Sequence, residues 1–465
     1  MSLYSKLDKN ILFPFAEKVQ GSNILGSYKF LKKSEWWSRE QIDSFQQQQL
    51  RKLIQHSVAN VPYYTDLFKH LKLSTEDIIK VSDLQKLPIL TKQIIRDNYD
   101  KLFSKDIETR KTKAHTTGGS TGVPLQFKTD MKGWNMQWAS TFRAFDWYGF
   151  DVGEKIFTIG GQSLVSEKKS LSKKDVWDKY LMRNFKYSSS GMKEEDMAYY
   201  YKQLIQLKPK AIRGYASSIF VFAKYIENNN LSIPNIKLLL TTGEQLMPNY
   251  RAKLQEIFKA PLYDGYGAGD GGILTHECYM HEGYHITEES SIIEICNRNG
   301  AILSDGEVGN VIATDLNNFS FPFIRYKVGD MANIEKNICS CGRKSKLIGK
   351  VLGRTGKLLY TKTGVPVSPT MLPILLYHDL DFNKVENQYI YNKIDRFQIV
   401  QDKYGDLKVL LKLKNQNDNL QQFKYIRSNY NNSFPGSNVE IMFVDEIKPL
   451  ASGKDDYVIS KFTKF

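Results

Sequence analysis

Between residues 116 and 124 the chain reads Thr116-Thr117-Gly118-Gly119-Ser120-Thr121-Gly122-Val123-Pro124, three glycines and four hydroxyl residues in nine positions. Glycines let successive backbone N–H groups turn towards one point, a nest that suits anionic oxygens. The hydroxyls add donors able to follow a phosphate as it moves. The segment lacks the Gly-Lys-Ser/Thr ending of a Walker A loop, and taken alone it reads first as a surface turn. Four further stretches downstream change that reading. They are Thr242-Gly243-Glu244-Gln245; Asp264-Gly265-Tyr266-Gly267-Ala268-Gly269-Asp270; the run from Gly306-Glu307-Val308-Gly309 through Ile324-Arg325-Tyr326-Lys327-Val328-Gly329-Asp330 to Gly353-Arg354; and Ala451-Ser452-Gly453-Lys454.

A second constellation is made of soft ligands. The chain has only four cysteines, Cys278, Cys296, Cys339 and Cys341, too few for a disulfide scaffold. Cys278 and His285 lie close in sequence, and Cys339-Ser340-Cys341-Gly342 follows later. Three thiolates and one imidazole make the tetrahedral shell of structural zinc. Three free thiols and an unrelated histidine read equally well at this point, and His276 and His281 compete for the fourth place. Cys296 falls in a strand-like run and reads as core.

The elements that must position these groups follow from length and pattern. A chain of 465 residues is too long for one core and calls for two or more domains. Hydrophobic content of 41% and charged content of 25% are those of a soluble globular protein. The best candidate for a membrane span, residues 212–226, is broken by Arg213 and Lys224. The start, Met-Ser-Leu-Tyr-Ser-Lys-Leu-Asp-Lys, lacks the apolar core of a signal peptide, so the cytoplasm is the expected compartment. Sixty-five Lys plus Arg against fifty Asp plus Glu give a net charge of +15, which attracts anions such as nucleotides or coenzyme A. The basic residues are spread singly among acids, and nucleic acid is not an expected partner.

Residues 1–110 read as mostly helical, with Ile42, Phe45, Leu50, Leu53 and Ile54 at helical spacing, and with Val61-Pro62-Tyr63-Tyr64, then Leu87-Pro88-Ile89-Leu90-Thr91-Lys92, supplying turns and a second helix start. From the Gly-rich loop to about residue 330, strands such as Leu238-Leu239-Leu240 and Ile292–Ile295 alternate with helical faces such as Tyr250, Leu254, Ile257 and Phe258. That alternation predicts an α/β architecture. After Gly353-Arg354 the pattern becomes ββαβ, with Val409, Leu411 and Leu413 alternating with a mostly charged face. The expected organisation is a large domain over residues 1–353, with mixed sheets and helices, and a small mobile α+β domain over 354–465, hinged near Arg354.

The five stretches, in this order and spacing, resemble the adenylate-forming superfamily of acyl-coenzyme A synthetases and ligases. Within it the chain is most similar to the phenylacetate–coenzyme A ligase branch, including the CapK-type proteins of bacterial polysaccharide clusters. The resemblance implies ATP-dependent activation of a small carboxylic acid as an acyl-adenylate, with Mg²⁺ and release of pyrophosphate. Acyl transfer to coenzyme A, a carrier-protein thiol or an amine would follow, with a place in surface polysaccharide biosynthesis. It assigns the β- and γ-phosphates to the loop of Thr116, Thr117, Gly118, Gly119, Ser120, Thr121 and Gly122. It assigns the adenine pocket to Gly243, Glu244 and Gln245, base stacking to Tyr266 beside Gly267, both ribose hydroxyls to Asp330, and a ribose or phosphate contact to Arg354. Lys454 becomes the small domain's catalytic lysine, a point cation between carboxylate and α-phosphate. Arg325 is expected to be structural, paired with an acid beneath the site.

Two departures from the family pattern stand out. Asp270 replaces the usual magnesium-binding Glu, and Gly356-Lys357 replaces an acidic pair at the hinge. The branch also carries Cys…Gly-x-His and Cys-x-Cys-Gly segments, which favours zinc held by Cys278, His285, Cys339 and Cys341. The acyl pocket is expected to draw on Tyr215, Ala216 and residues 268–271. An adenylyltransferase that stops at AMP transfer, or an inactive nucleotide binder of the same fold, are the alternatives.

Overall fold

The structure is a computed structural model. It describes residues 7–116, 126–160, 177–188, 194–243, 246, 248–349, 351, 353–354, 359–360, 362, 366–367, 376, 393–415, 420–434, 436–447 and 458–460. The residues Thr117–Gly122, Glu244, Gln245 and Lys454 singled out above lie outside them.

The opening is helical, as expected, with helices Phe13–Gln20, Ile24–Ser34, Arg39–Asn60 and Pro62–Leu71 in succession. Ser38 starts the longest through a capping box with Gln41, and Ile42, Leu50, Leu53 and Ile54 are buried on its inner face. Val61-Pro62-Tyr63-Tyr64, one of the two segments expected to supply turns and a helix start, opens the helix Pro62–Leu71, and Thr91 in the other caps the helix Lys92–Asp97. Val61 is the N-cap and Pro62 takes the first helical position, where its missing N–H costs nothing. The Tyr64 hydroxyl donates to the Pro322 carbonyl (2.9 Å), and the Leu90 N–H donates to the Arg325 carbonyl (2.9 Å). The opening is thereby tied to the segment that leads to Asp330.

The central sheet has five parallel strands in the order β4-β3-β5-β6-β7. They are β3 (Ile156–Gly160), β4 (Asn184–Ser188), β5 (Ala211–Gly214), β6 (Leu238–Thr242) and β7 (Leu262–Gly265). Ile212 and Leu239 feed one core and Ala211, Leu238 and Leu240 another, so the apolar run of β6 is buried on both faces. Helices Glu194–Leu207, Ala216–Asn228 and Pro248–Phe258 make the crossovers, and helix Met131–Asp146 follows the hairpin of β1 (Thr112–Thr116) and β2 (Gln126–Asp130).

Two antiparallel sheets follow. One joins β8 (Gly267–Ala268), β9 (Ile273–Glu277) and β10 (Tyr284–Ile286) with β14 (Leu347–Ile348). The other joins β11 (Ser291–Cys296), β12 (Gly309–Asp315) and β13 (Tyr326–Ala332) with β15 (Gly353–Arg354). After the short pair β16 (Leu359–Tyr360) and β17 (Pro366–Val367), the last sheet runs β20-β19-β18-β21. Its strands are β18 (Ile394–Lys403), β19 (Asp406–Leu413), β20 (Asn438–Phe443) and β21 (Val458–Ser460), with helix Lys424–Ser433 inserted before β20. Along β19, Val409, Leu411 and Leu413 are buried while Lys408 is exposed, the alternation expected of a one-sided sheet. The fold class is therefore as expected, α/β with mixed sheets and a small C-terminal α+β unit. Among the described residues no helix is long and apolar enough to cross a membrane.

Candidate active site

A parallel sheet offers its ligands the crevice at the carboxyl ends of its strands. A cavity of about 260 Å³ opens there, with Tyr215, Thr242, Gly243, Gly265 and Tyr266 on its wall. Gly243 has φ +78°, and a Cβ on it would stand 2.8 Å from the Tyr215 ring, so only glycine fits both the backbone and the space. Tyr266 is held by its backbone: the Thr275 N–H (3.0 Å) and hydroxyl (2.8 Å) both donate to its carbonyl. Its own hydroxyl donates to Asp330 Oδ2 at 3.0 Å. Asp330 in turn lies opposite Arg354 in the β13/β15 register. Gly243, Tyr266, Gly267, Asp330 and Arg354, scattered in sequence, are thus brought to one strand-end region. Asp270 sits in the turn after β8, accepting from the Tyr326 hydroxyl (2.8 Å) with Lys92 Nζ at 3.9 Å. Thr116 is the last residue of β1.

Beneath the Tyr266 loop lies a buried polar cluster. Asp264 accepts from the Thr241 hydroxyl (2.6 Å) and the Tyr284 hydroxyl (2.8 Å), and its N–H donates to Glu277 (2.9 Å). Burial pushes its carboxyl up to about 7 against those hydrogen bonds. Glu277 is clasped by Arg251 through two contacts of 2.8 Å. Arg325, buried at φ +51°, pairs with Glu294 (3.1 Å) and donates to the carbonyls of Leu87 (2.8 Å) and Gly300 (3.0 Å). It is the structural arginine expected.

Cys278, His285, Cys339 and Cys341 converge, their ligand atoms all within 4.8 Å of one another. Sγ of Cys278 and Cys339 are 3.5 Å apart, and Cys341 Sγ is 3.4 Å from His285 Nε2. Zinc–ligand bonds of about 2.0–2.3 Å in a tetrahedron give ligand–ligand edges a little under about 4 Å, so the donor set fits that ion. His285 Nδ1 lies 2.8 Å from Ser345 Oγ, the outer hydrogen bond that orients a ligating imidazole. Burial acts to raise the Cys341 thiol, but His285 and Arg343 outweigh it and bring it down to about 6. Arg343 also pairs with Glu35 (3.2 Å) and stacks over Trp147 (4.3 Å), anchoring the corner to the helical opening. His281 instead stacks on Tyr263 and His276 lines the cavity, so neither is the fourth ligand. Cys296 is core.

The expected pocket residues Tyr215, Ala268 and Gly269 line the cavity, but Ala216, Asp270 and Gly271 are not among the lining residues. Sequence reasoning missed Trp134, Gln137, Thr141, Arg213 and His276 on the same wall. Trp134, Gln137 and Thr141 stand on one face of helix Met131–Asp146, a spacing that periodicity could have found.

Comparison with known proteins agrees with this geometry. The chain covers 92% of itself and 92% of 2-hydroxyisobutyryl-CoA ligase in the postadenylation state, at TM-score 0.67 and 15% identity. The fold is that of the adenylate-forming ligases. Residues 383–461 match the CapK C-terminal domain. Protein CapK of Staphylococcus aureus is 25% identical over 89% of this chain and 88% of its own length. A phenylacetate-coenzyme A ligase of Thermus thermophilus is 26% identical over 73% and 76%. Within that fold class the chain is a relative of the CapK and phenylacetate–coenzyme A ligase branch.

Proposed function

We propose that the chain is an AMP-forming acid ligase acting in the cytoplasm. The observation that carries this reading is the Tyr266–Asp330 hydrogen bond at the cavity wall beside Gly243. It sets an aromatic face and a bidentate acceptor together, as an adenosine requires. In the first step a carboxylate oxygen of the acid attacks the α-phosphorus of ATP, and the bond to pyrophosphate breaks. Tyr266 stacks on the base, Asp330 accepts from the ribose hydroxyls, Arg354 contacts ribose or phosphate, and the Thr116–Gly122 loop holds the β- and γ-phosphates. Lys454 places a cation where carboxylate and phosphate meet. Asp270 would hold Mg²⁺, which supplies positive charge to the leaving oxygens. In the second step the thiol of coenzyme A attacks the acyl carbon and AMP leaves. Cys278, His285, Cys339 and Cys341 hold a structural zinc.

Acid-dependent exchange of pyrophosphate into ATP, screened over aryl, amino, hydroxy and fatty acids, tests the reading. Exchange with at least one acid is expected. Lys454→Ala should lower it by about 10²–10³-fold, the scale of losing one transition-state charge contact, while ATP still binds. Transfer from a chemically made acyl-adenylate should survive that substitution. ATP binding with no exchange for any acid would leave a nucleotide binder in place of a ligase.

A further inference from the structure

We infer that the outer face of the first helix is a membrane-docking surface, which seats the chain on a lipid layer with anionic headgroups.

The π-helical turn Asp8–Leu12 runs directly into helix Phe13–Gln20. The inner face of this rod is fully employed. Phe13 is buried and meets Phe142 edge-on, ring centroids 6.3 Å apart, in the core that also holds Ile24, Phe145 and Phe150. Glu17 accepts from the backbone N–H groups of Ile24 and Leu25 (3.3 Å for the second) and so satisfies the start of the next helix. Lys9 pairs with Asp151 (2.6 Å), ahead of β3.

The outer face is left apolar. Leu7, Ile11, Phe15 and Val19 are 44%, 58%, 68% and 72% exposed. Steps of four residues nearly close a turn, so the four side chains make one stripe, roughly 18 Å long. The other exposed residues from Leu7 to Gln20 are Asn10, Pro14, Lys18 and Gln20. Exposed apolar side chains scattered singly are ordinary, whereas four on successive turns mark an interaction face.

Charge names the partner. Residues 7–35 hold three carboxylates, Asp8, Glu17 and Glu35, and all three are buried. Of the five lysines in the same span, Lys9 and Lys32 pair with acids, while Lys18, Lys29 and Lys33 are exposed. Lys111, also exposed, lays its Nζ beside Gly21, just past Val19, where a Cβ on that glycine would run into it. An apolar stripe bordered by lysines, with every carboxylate of the span turned inward, matches acyl chains beneath phosphate headgroups. A protein partner of mixed charge would ask for exposed acids as well as lysines, and a nucleic acid would leave the stripe in water.

Flotation of the full chain with vesicles of phosphatidylcholine, with and without phosphatidylglycerol, tests the inference. The chain should bind the anionic vesicles at least ~25-fold more tightly than the neutral ones, because two lysines at a charged surface contribute about fivefold each. Phe15→Ser with Val19→Ser should weaken that binding by about tenfold or more, with Tm unchanged because both side chains are exposed. Lys18→Gln with Lys111→Gln should weaken it by about 25-fold and gives a second variant should the first not fold. No flotation with either vesicle, or anionic binding untouched in both folded variants, would overturn the inference. So would a dimer in light scattering that the serine pair turns into a monomer, since the stripe would then be covered by a second copy of the chain.

Discussion

Replacing Asp264 by Asn removes an ionisable group from directly beneath the Tyr266 loop, and the effect can be worked from the fold. In the unfolded chain this carboxyl titrates near 3.8, whereas burial pushes it up to about 7 in the native one. A raised acid is favoured in its protonated form, so between those values the native state binds more protons than the unfolded chain. Stability therefore falls as pH rises from about 4 to about 7, then levels off. About three units at about 1.4 kcal/mol each give a penalty of about 4 kcal/mol above the folded value. Asp315, also pushed up to about 7, adds a slope of the same sign in both proteins. Asp264→Asn keeps one acceptor for the Thr241 and Tyr284 hydroxyls and has nothing to ionise. At about pH 3, where Asp264 is protonated in both states, the variant should be the less stable by about 1 kcal/mol, the cost of one disturbed hydrogen bond. At about pH 8 it should be the more stable by about 2–3 kcal/mol. Urea unfolding across this range measures the difference directly. A difference independent of pH would refute the reasoning, because it would mean that Arg251 and the two hydroxyls keep Asp264 ionised in the native chain.

Three further outcomes are expected. Asp330→Ala removes the partner of the Tyr266 hydroxyl and the ribose acceptors together; at about 1.5–3 kcal/mol per charge-assisted bond, calorimetry should find ATP affinity down about 10²-fold, and an unchanged titration would mean the motif register is wrong. Elemental analysis should find one zinc per chain, and both chelation and Cys339→Ser should lower Tm, the site contributing several kcal/mol to folding; no zinc and no loss of Tm would remove it. Arg325→Met leaves Glu294 buried without its cation and should cost about 3–5 kcal/mol in denaturant unfolding, most of it regained in the double variant with Glu294→Leu; a cost under about 1 kcal/mol would end the structural role given to Arg325.

Much of the fold was legible because the signals were local. Leu238–Leu240 reads as a strand buried on both faces, and the helix over Ile42–Ile54 shows its period along the chain. The Cys/His corner was legible through the resemblance alone: on residue types three free thiols read equally well, and only the fold brings the four groups within 4.8 Å of one another. The acyl wall was not. Trp134 and Gln137, Arg213, and His276 come from a helix, a parallel strand and an antiparallel strand, and only tertiary packing brings them to one space. Asp264 was hidden likewise, since a sequence carries no sign of burial on both sides of a single carboxylate. Val61-Pro62 shows the limit of punctuation: proline ends helices and also begins them, so the segment reads as turn and helix start together, and the fold puts Pro62 at the first helical position.

Strand β8 is two residues long, with Gly267 opposite Leu274 and Ala268 opposite Ile273. So short a strand cannot keep its own phase. A slip of one residue against β9 would turn each side chain to the other face and carry the Tyr266 hydroxyl away from Asp330. The phase is kept from the far end of β9, where His276 pairs with His285 of β10 and Cys278 follows immediately as a member of the Cys/His corner. An oxidant or chelator acting on those thiols would touch nothing on the cavity wall, yet under the proposed reading it would loosen the pairing that sets Tyr266 against Asp330.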